Sequence, residues 1–159
     1  MGSGTAIPAD LVDFLTGGVS VLVGTRDAAR RPEATRGVGF VIAPERTRAT
    51  VYLAERASAR ALANLADNGE IAVGISRPMD NLTLQLKGRC VHVAQGDAVD
   101  RSIPERYHAV FMEQLYLVGF PRTLVKRFAV WPAVAVTFDV RDIFVQTPGP
   151  EAGKRLGAA

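Results

Sequence analysis

The arrangement that most limits the fold is a set of three β-rich runs at residues 19–25, 34–42 and 48–54, parted only by the polar turns 26–32 and 43–47. Turns this short cannot hold the crossover that a parallel pair needs, so the runs predict an antiparallel meander. A meander leaves open edges, and closure into a barrel removes them. Strands at 71–75 and 82–93 are expected to help close it, the second with Leu82, Leu84 and Leu86 on one face and Thr83, Gln85 and Lys87 on the other. Gly88 marks an expected bulge in that strand. Residues 133–138 and 141–146 make the last β segment.

Helices fill the intervals. Residues 8–16 predict a short helix through Leu11, Phe14 and Leu15, stopped by Gly17-Gly18. Ser58 is the expected N-cap of a central helix that buries Ala61, Leu62 and Leu65 and ends at Asn68-Gly69. Ser102-Ile-Pro-Glu105 has capping-box spacing ahead of Tyr107, Val110, Phe111, Leu115 and Val118, and Pro121 opens a second short helix with Leu124, Val125 and Phe128. The Pro/Gly-rich tail from Thr147 is expected to be irregular. No repeat or linker interrupts the 159 residues, so the expectation is a single α+β domain over 1–159 with an antiparallel barrel core.

Composition removes several function classes. The charge of +3, from 19 basic and 16 acidic residues, is mild, and the arginines are spread along the chain with no reader motif, so nucleic acid is not an expected partner. Hydrophobic residues at 48% suit a globular core, and no apolar run approaches the ~20 residues that cross a bilayer. The opening Met1-Gly-Ser-Gly carries no basic and apolar signal pattern, so the expected location is the cytoplasm and no membrane partner is foreseen. Cys90 is the only cysteine, which excludes an intramolecular disulfide and a cysteine metal cage. His92 and His108 have no acidic partner at ligand spacing, so no metal site is expected. Gly149-Pro-Glu-Ala-Gly-Lys154 falls one residue short of a phosphate loop and has Arg155 where a magnesium ligand belongs.

The second run, Thr35-Arg-Gly-Val-Gly-Phe-Val41, is the unusual one. At period two, Arg36, Val38 and Phe40 share a face, and Thr35, Gly37, Gly39 and Val41 share the other. Glycines along one face admit a close neighbour, either a flat cofactor ring or the packing of a tight barrel. Arg60 lies in the first turn of the central helix, where free N–H groups favour an anion and a guanidinium can fork onto a phosphate.

The order and spacing of Gly24-Thr-Arg-Asp, Arg31-Pro32, Thr35–Val41, Val51-Tyr-Leu-Ala54, Arg60-Ala-Leu-Ala-Asn-Leu-Ala-Asp-Asn68 and Leu84-Gln-Leu-Lys-Gly-Arg89 resemble the pyridoxamine 5′-phosphate oxidase-like family over nearly the whole chain. The resemblance implies an antiparallel split β-barrel with a short central helix and a C-terminal helical pair before the last strand. It also implies a homodimer with FMN in grooves at the interface. The FMN phosphate is then held by basic residues of the second strand and of a Ser-Arg-Lys-like segment that opens the helix. Arg36 matches the strand position, with Gly37, Val38 and Gly39 beside it. Arg60 matches the arginine of the segment, Ser58 lies one residue from its serine, and Thr83 or Gln85 stands where a polar side chain meets the ring.

Some positions depart from that pattern. Ala59 and Ala61 replace the serine and lysine of the segment, Val41 replaces a second strand lysine, and Glu55 brings a carboxylate toward the phosphate. The C-terminal substrate pattern of arginine and histidine is missing, so true pyridoxamine phosphate oxidase activity is not expected. The expected function is a flavin-dependent oxidoreductase of an unassigned small-molecule substrate, with no side chain nominated as a catalytic acid or base. The alternative is a non-catalytic binding protein on the same fold, holding FMN, a deazaflavin or haem, or nothing. Haem would require His92 or His108 as its axial ligand.

Overall fold

The computed structural model describes residues 4–157, so the reading of Met1-Gly-Ser and the last two residues of the expected domain lie outside the described residues. Six strands form a closed antiparallel barrel: β1 (Ser20–Arg26), β2 (Pro32–Ile42), β3 (Arg48–Ala54), β4 (Glu70–Ser76), β5 (Thr83–Ala94) and β6 (Ala133–Val145), in the ring order β1-β2-β3-β6-β5-β4. The first three strands are the expected meander. The chain then crosses through α2 (Ala59–Asn68) to pair β4 with the free side of β1. It continues into β5, and β6 fills the gap between β3 and β5. The fold is therefore α+β, with α1 (Val12–Thr16), α3 (Ser102–Leu117) and α4 (Arg122–Val125) outside the barrel.

Period-two burial explains the closure. Val21 and Val23 of β1, Ile71, Val73 and Ile75 of β4, and Leu84 and Leu86 of β5 all point inward into one core. β6 runs unbroken where two segments were expected, because Phe138 and Val140 are both fully buried and keep the alternation going. Between them Asp139 turns outward and accepts a hydrogen bond from Arg48 at 2.8 Å. Gly88 sits at the expected bulge, and a Cβ there would overlap the Asp139 carbonyl across the ladder.

Polar pairs fasten α2 over the barrel. Thr35 and Ser58 share a buried hydroxyl–hydroxyl hydrogen bond of 2.8 Å, Asn64 donates to Thr25, and Asn68 donates to the Arg26 carbonyl. Gly69 ends the helix in the left-handed region at φ 71°, as the sequence predicts. Ser58 does not cap it through its side chain. A helical turn over Arg56–Ser58 already leads into α2, and the hydroxyl is committed to Thr35.

Three other expectations change. The first helix splits into a tight turn at Ala9–Leu11 and the five-residue α1. Ser102 lies inside α3 instead of capping it: Asp100 accepts from the Ser102 amide and hydroxyl, while Glu105 pairs with Arg101. These bonds hold the Asp100 carboxyl below its usual range. Phe128 falls beyond the four-residue α4, and the tail, although without helix or strand, folds back so that Val145 and Leu156 donate to Lys154 and Ile143 carbonyls.

The largest correction concerns β2. Gly37 pairs with Leu53 and Gly39 pairs with Tyr52, so Val38 is an extra residue and the strand bulges. Alternation resets there. A Cβ on Gly37 would point inward, 2.5 Å from Val21 Cγ1, whereas one on Gly39 would meet Tyr52 and Ile103 at 3.2–3.3 Å. The two glycines therefore do not share a face, and Phe40 points into the core while Arg36 points out. Barrel packing accounts for Gly37, and close approach of Tyr52 accounts for Gly39.

Two outcomes follow for stability. Gly37→Ala forces Val21 aside and should destabilise the barrel by about 1–3 kcal/mol, the usual cost of overpacking. A denaturant midpoint equal to that of the parent would show that the wall can yield. In the β4–β5 turn, Asp80 accepts two hydrogen bonds from Arg77, which lower its pKa to about 2 from 3.8. Because the folded value is depressed, the contribution of this pair is full above pH about 4 and is lost as the pH falls toward 2. A carboxyl titration by NMR should find that midpoint, and Arg77→Gln should return it toward 3.8.

Candidate functional site

Two clefts open on the outer face of the barrel, and Arg36 and Phe128 line both. Arg36 projects from β2 with its guanidinium 5.3 Å from the Phe128 ring centre and 5.9 Å from that of Phe111. Those distances are within the range of cation–π attraction. Among the described residues it has no carboxylate within ion-pair distance; its one polar contact is a long 3.5 Å bond to Ser20. A guanidinium stacked on aromatics without a counter-anion is a place for a ligand anion.

The first cleft, of about 240 Å³, has Val38, Ala54 and Ala57 along one side and Phe128 and Trp131 along the other, with Arg36, Glu55 and Arg56 also lining it. Trp131 is held by Arg101, whose guanidinium lies 5.3 Å from the indole and is itself tied to Glu105 at 2.7 Å. The second cleft, of about 250 Å³, lies over β1 and β4 beneath α3. Its polar lining comes from Ser20, Ser76, Arg77 and Asn81, and its apolar lining from Phe111, Leu115, Phe120 and Phe128.

The residues singled out from the sequence separate into three groups. Arg36 and Val38 line the first cleft together with Glu55. Gly37 and Gly39 are buried against Val21 and Tyr52, and Ser58 is buried against Thr35, so none of the three lines it. Arg60 is 78% exposed and pairs with Glu33 at 3.3 Å, outside the cleft. Ala59 is exposed, while Ala61 is buried beneath α2, where a lysine could not reach outward. Thr83 and Gln85 lie on β5, opposite β2 in the six-strand ring, so one chain does not bring them to Arg36. Thr83 approaches the second cleft only through its hydroxyl bond to Ser76.

Sequence reasoning missed Phe111, Phe128 and Trp131, whereas Arg56 lines the first cleft beside Glu55, whose charge the sequence suggests it or Arg60 would offset. The aromatic residues look like core positions of a helix and its exit, and only the packing of α3 over β2 turns them into a wall. The remaining reactive groups are accounted for structurally. His108 Nε2 is 2.9 Å from the Val125 carbonyl, and His92 is exposed on β5. Burial pushes the Cys90 thiol up, away from nucleophilic use. Tyr107 is also shifted well upward by burial and donates to the Val19 carbonyl at 2.8 Å, pinning α3 to the barrel. No cluster of three metal-ligating side chains occurs among the described residues, and no helix among them is long and apolar enough to cross a membrane.

The first cleft fits a phosphorylated flavin in part. Its aromatic wall and Arg36, which has no ion-pair partner among the described residues, suit a flat ring and an anion. A 150 Å³ cavity holds one benzene ring, so about 240 Å³ takes part of a three-ring flavin and leaves the rest outside this chain. The phosphate end is weaker than the resemblance implies, because Arg60 is engaged by Glu33, Ser58 by Thr35, and Glu55 adds a negative charge.

No family model matches the chain, and no curated protein matches it. Solved structures share its fold at low identity. HupZ of Group A Streptococcus is similar at a TM-score of 0.56 with 18% identity, over 92% of this chain and 100% of that one. A candidate pyridoxamine 5′-phosphate oxidase of Lactobacillus delbrueckii is similar at 0.54 and 11%, over 88% and 94%. An F420 reductase is similar at 0.51 and 12%, over 86% and 98%. In fold, this chain is a closed antiparallel β-barrel similar to these solved structures.

Proposed function

We propose that this protein binds a phosphorylated flavin-type cofactor, FMN or a deazaflavin, and serves as a flavin-dependent oxidoreductase acting on a small molecule. The observation that carries this reading is Arg36, a guanidinium without a carboxylate partner among the described residues, in a cleft walled by Phe128 and Trp131. A bound flavin would supply the hydride chemistry. The chain's own contribution is binding and exclusion: Arg36 and Arg56 offset the phosphate charge, Val38, Ala54 and Ala57 offer an apolar bed, and the two aromatic side chains keep water off the ring. In this reading a homodimer places Thr83 and Gln85 of a second copy against the part of the ring that one chain leaves outside. The cytoplasm is the proposed location, consistent with a single, unpaired cysteine.

A second reading, a binding protein without turnover, draws on the thinned phosphate end, where Glu55 stands and Arg60 is paired away. Haem gains less support, because His108 Nε2 is already beside a carbonyl and His92 lies on the opposite wall of the barrel.

Titration of the purified protein with FMN, followed by flavin fluorescence, distinguishes these readings. Saturable uptake and hydride transfer from a reduced nicotinamide are expected; uptake without turnover supports the binding protein, and failure to take up FMN overturns both flavin readings. Arg36→Ala should weaken FMN by about 1.5–3 kcal/mol, as for a charged hydrogen bond, whereas Arg60→Ala should do little. Glu55→Gln should strengthen binding. Sizing chromatography should give a dimer, and a monomer that still holds FMN would remove Thr83 and Gln85 from the site.

A further inference from the structure

We propose that the second cleft is a binding site for a small aryl carboxylate, a single aromatic ring bearing one short acid arm. The inference goes beyond the cofactor reading and does not need the first cleft to be filled. Three features of the cleft carry it.

The first is size. About 250 Å³ exceeds the 150 Å³ that encloses a benzene ring by roughly the room for an acid arm. The second is the distribution of polarity. Phe111, Leu115, Phe120 and Phe128 make an apolar side suited to the face or edge of a ring, while Ser20, Ser76 and Asn81 supply hydroxyl and amide groups elsewhere in the lining. The third is charge. Among the described residues, both ionic side chains that line the cleft are arginines, Arg36 and Arg77, and no carboxylate lines it. Arg36 has no ion-pair partner among the described residues. Arg77 gives its Nε and one terminal nitrogen to Asp80, which leaves Nη1 outside that pair, and its guanidinium is steadied 5.5 Å from the Phe14 ring centre.

Apolar walls select a ring, and Arg36, together with the Nη1 that Arg77 keeps outside its Asp80 pair, selects an anion over an amine or an alcohol. The first cleft has a different character, since Glu55 lines it together with its arginines. A monoanion is therefore directed to the second cleft.

The probe is phenylacetate, titrated by calorimetry into the protein freed of any cofactor, with 2-phenylethanol and 2-phenylethylamine as matched ligands lacking the anion. Phenylacetate should bind in the millimolar range expected for a ligand of this size, and both controls should bind at least about tenfold more weakly. Arg77→Met, which keeps the stem and removes the cation, should weaken phenylacetate about tenfold. Leu115→Trp should block it by filling the cleft. Trp131→Ala, confined to the first cleft, should leave phenylacetate affinity unchanged and lower FMN affinity. Equal binding of all three ligands, absence of saturation by phenylacetate in the folded protein, or loss of its binding only in Trp131→Ala would each overturn the assignment. FMN uptake is measured separately, so failure of the cofactor reading is distinguishable from failure of this one.

Discussion

The insertion of Val38 into β2 is the constraint on which the rest of the site depends. Without the extra residue, side chains along β2 would alternate regularly and Phe40 would share a face with Arg36. With it, Phe40 enters the core, Gly39 lets Tyr52 lie against the strand, and Arg36 and Val38 remain outside. The bulge is tolerated because Gly37 leaves room for Val21 on the inside. One local irregularity thus turns Phe40 into the core, while Arg36 and Val38 keep the outward direction that the pleat gives them. The α3 helix, pinned by the Tyr107–Val19 bond, then brings Phe111 to that cation.

The barrel itself was legible in the sequence. The spacing of its β-rich runs and the in–out alternation of residues such as Val21, Val23, Ile71, Val73 and Ile75 depend on local pattern, and hydrophobic burial enforces the same pattern in three dimensions. Gly69 and Gly88 were legible for a related reason, since each marks a backbone demand that few other residues meet. The failures involve groups whose partners are remote in sequence. Ser58 has the composition of a cap, yet its hydroxyl found Thr35, 23 positions away. Ser102 and Glu105 have the spacing of a capping box, but Asp100 and Arg101 compete for their bonds.

The site was half legible for the same reason. Arg36 and Val38 could be nominated from the strand alone, because their outward direction needs only the pleat. Arg60 could not be judged without Glu33, and the aromatic wall could not be seen at all. Phe111, Phe128 and Trp131 come from α3 and from the segments after α4, and they meet β2 only through tertiary packing. The bulge was missed because a glycine pair in a strand reads equally well as regular alternation.

The Arg36 position also separates two residues that a substitution table treats as near equivalents. A guanidinium is planar and weakly hydrated, so it can lie within reach of both phenyl rings while keeping an edge of N–H donors for an anion. An ammonium is a compact, strongly hydrated charge that would draw water between the rings and could not span them as a flat partition. Lysine there would preserve the net charge yet lose the flat contact with both rings. The identity of this one cation, more than its charge, sets what both clefts offer a ligand.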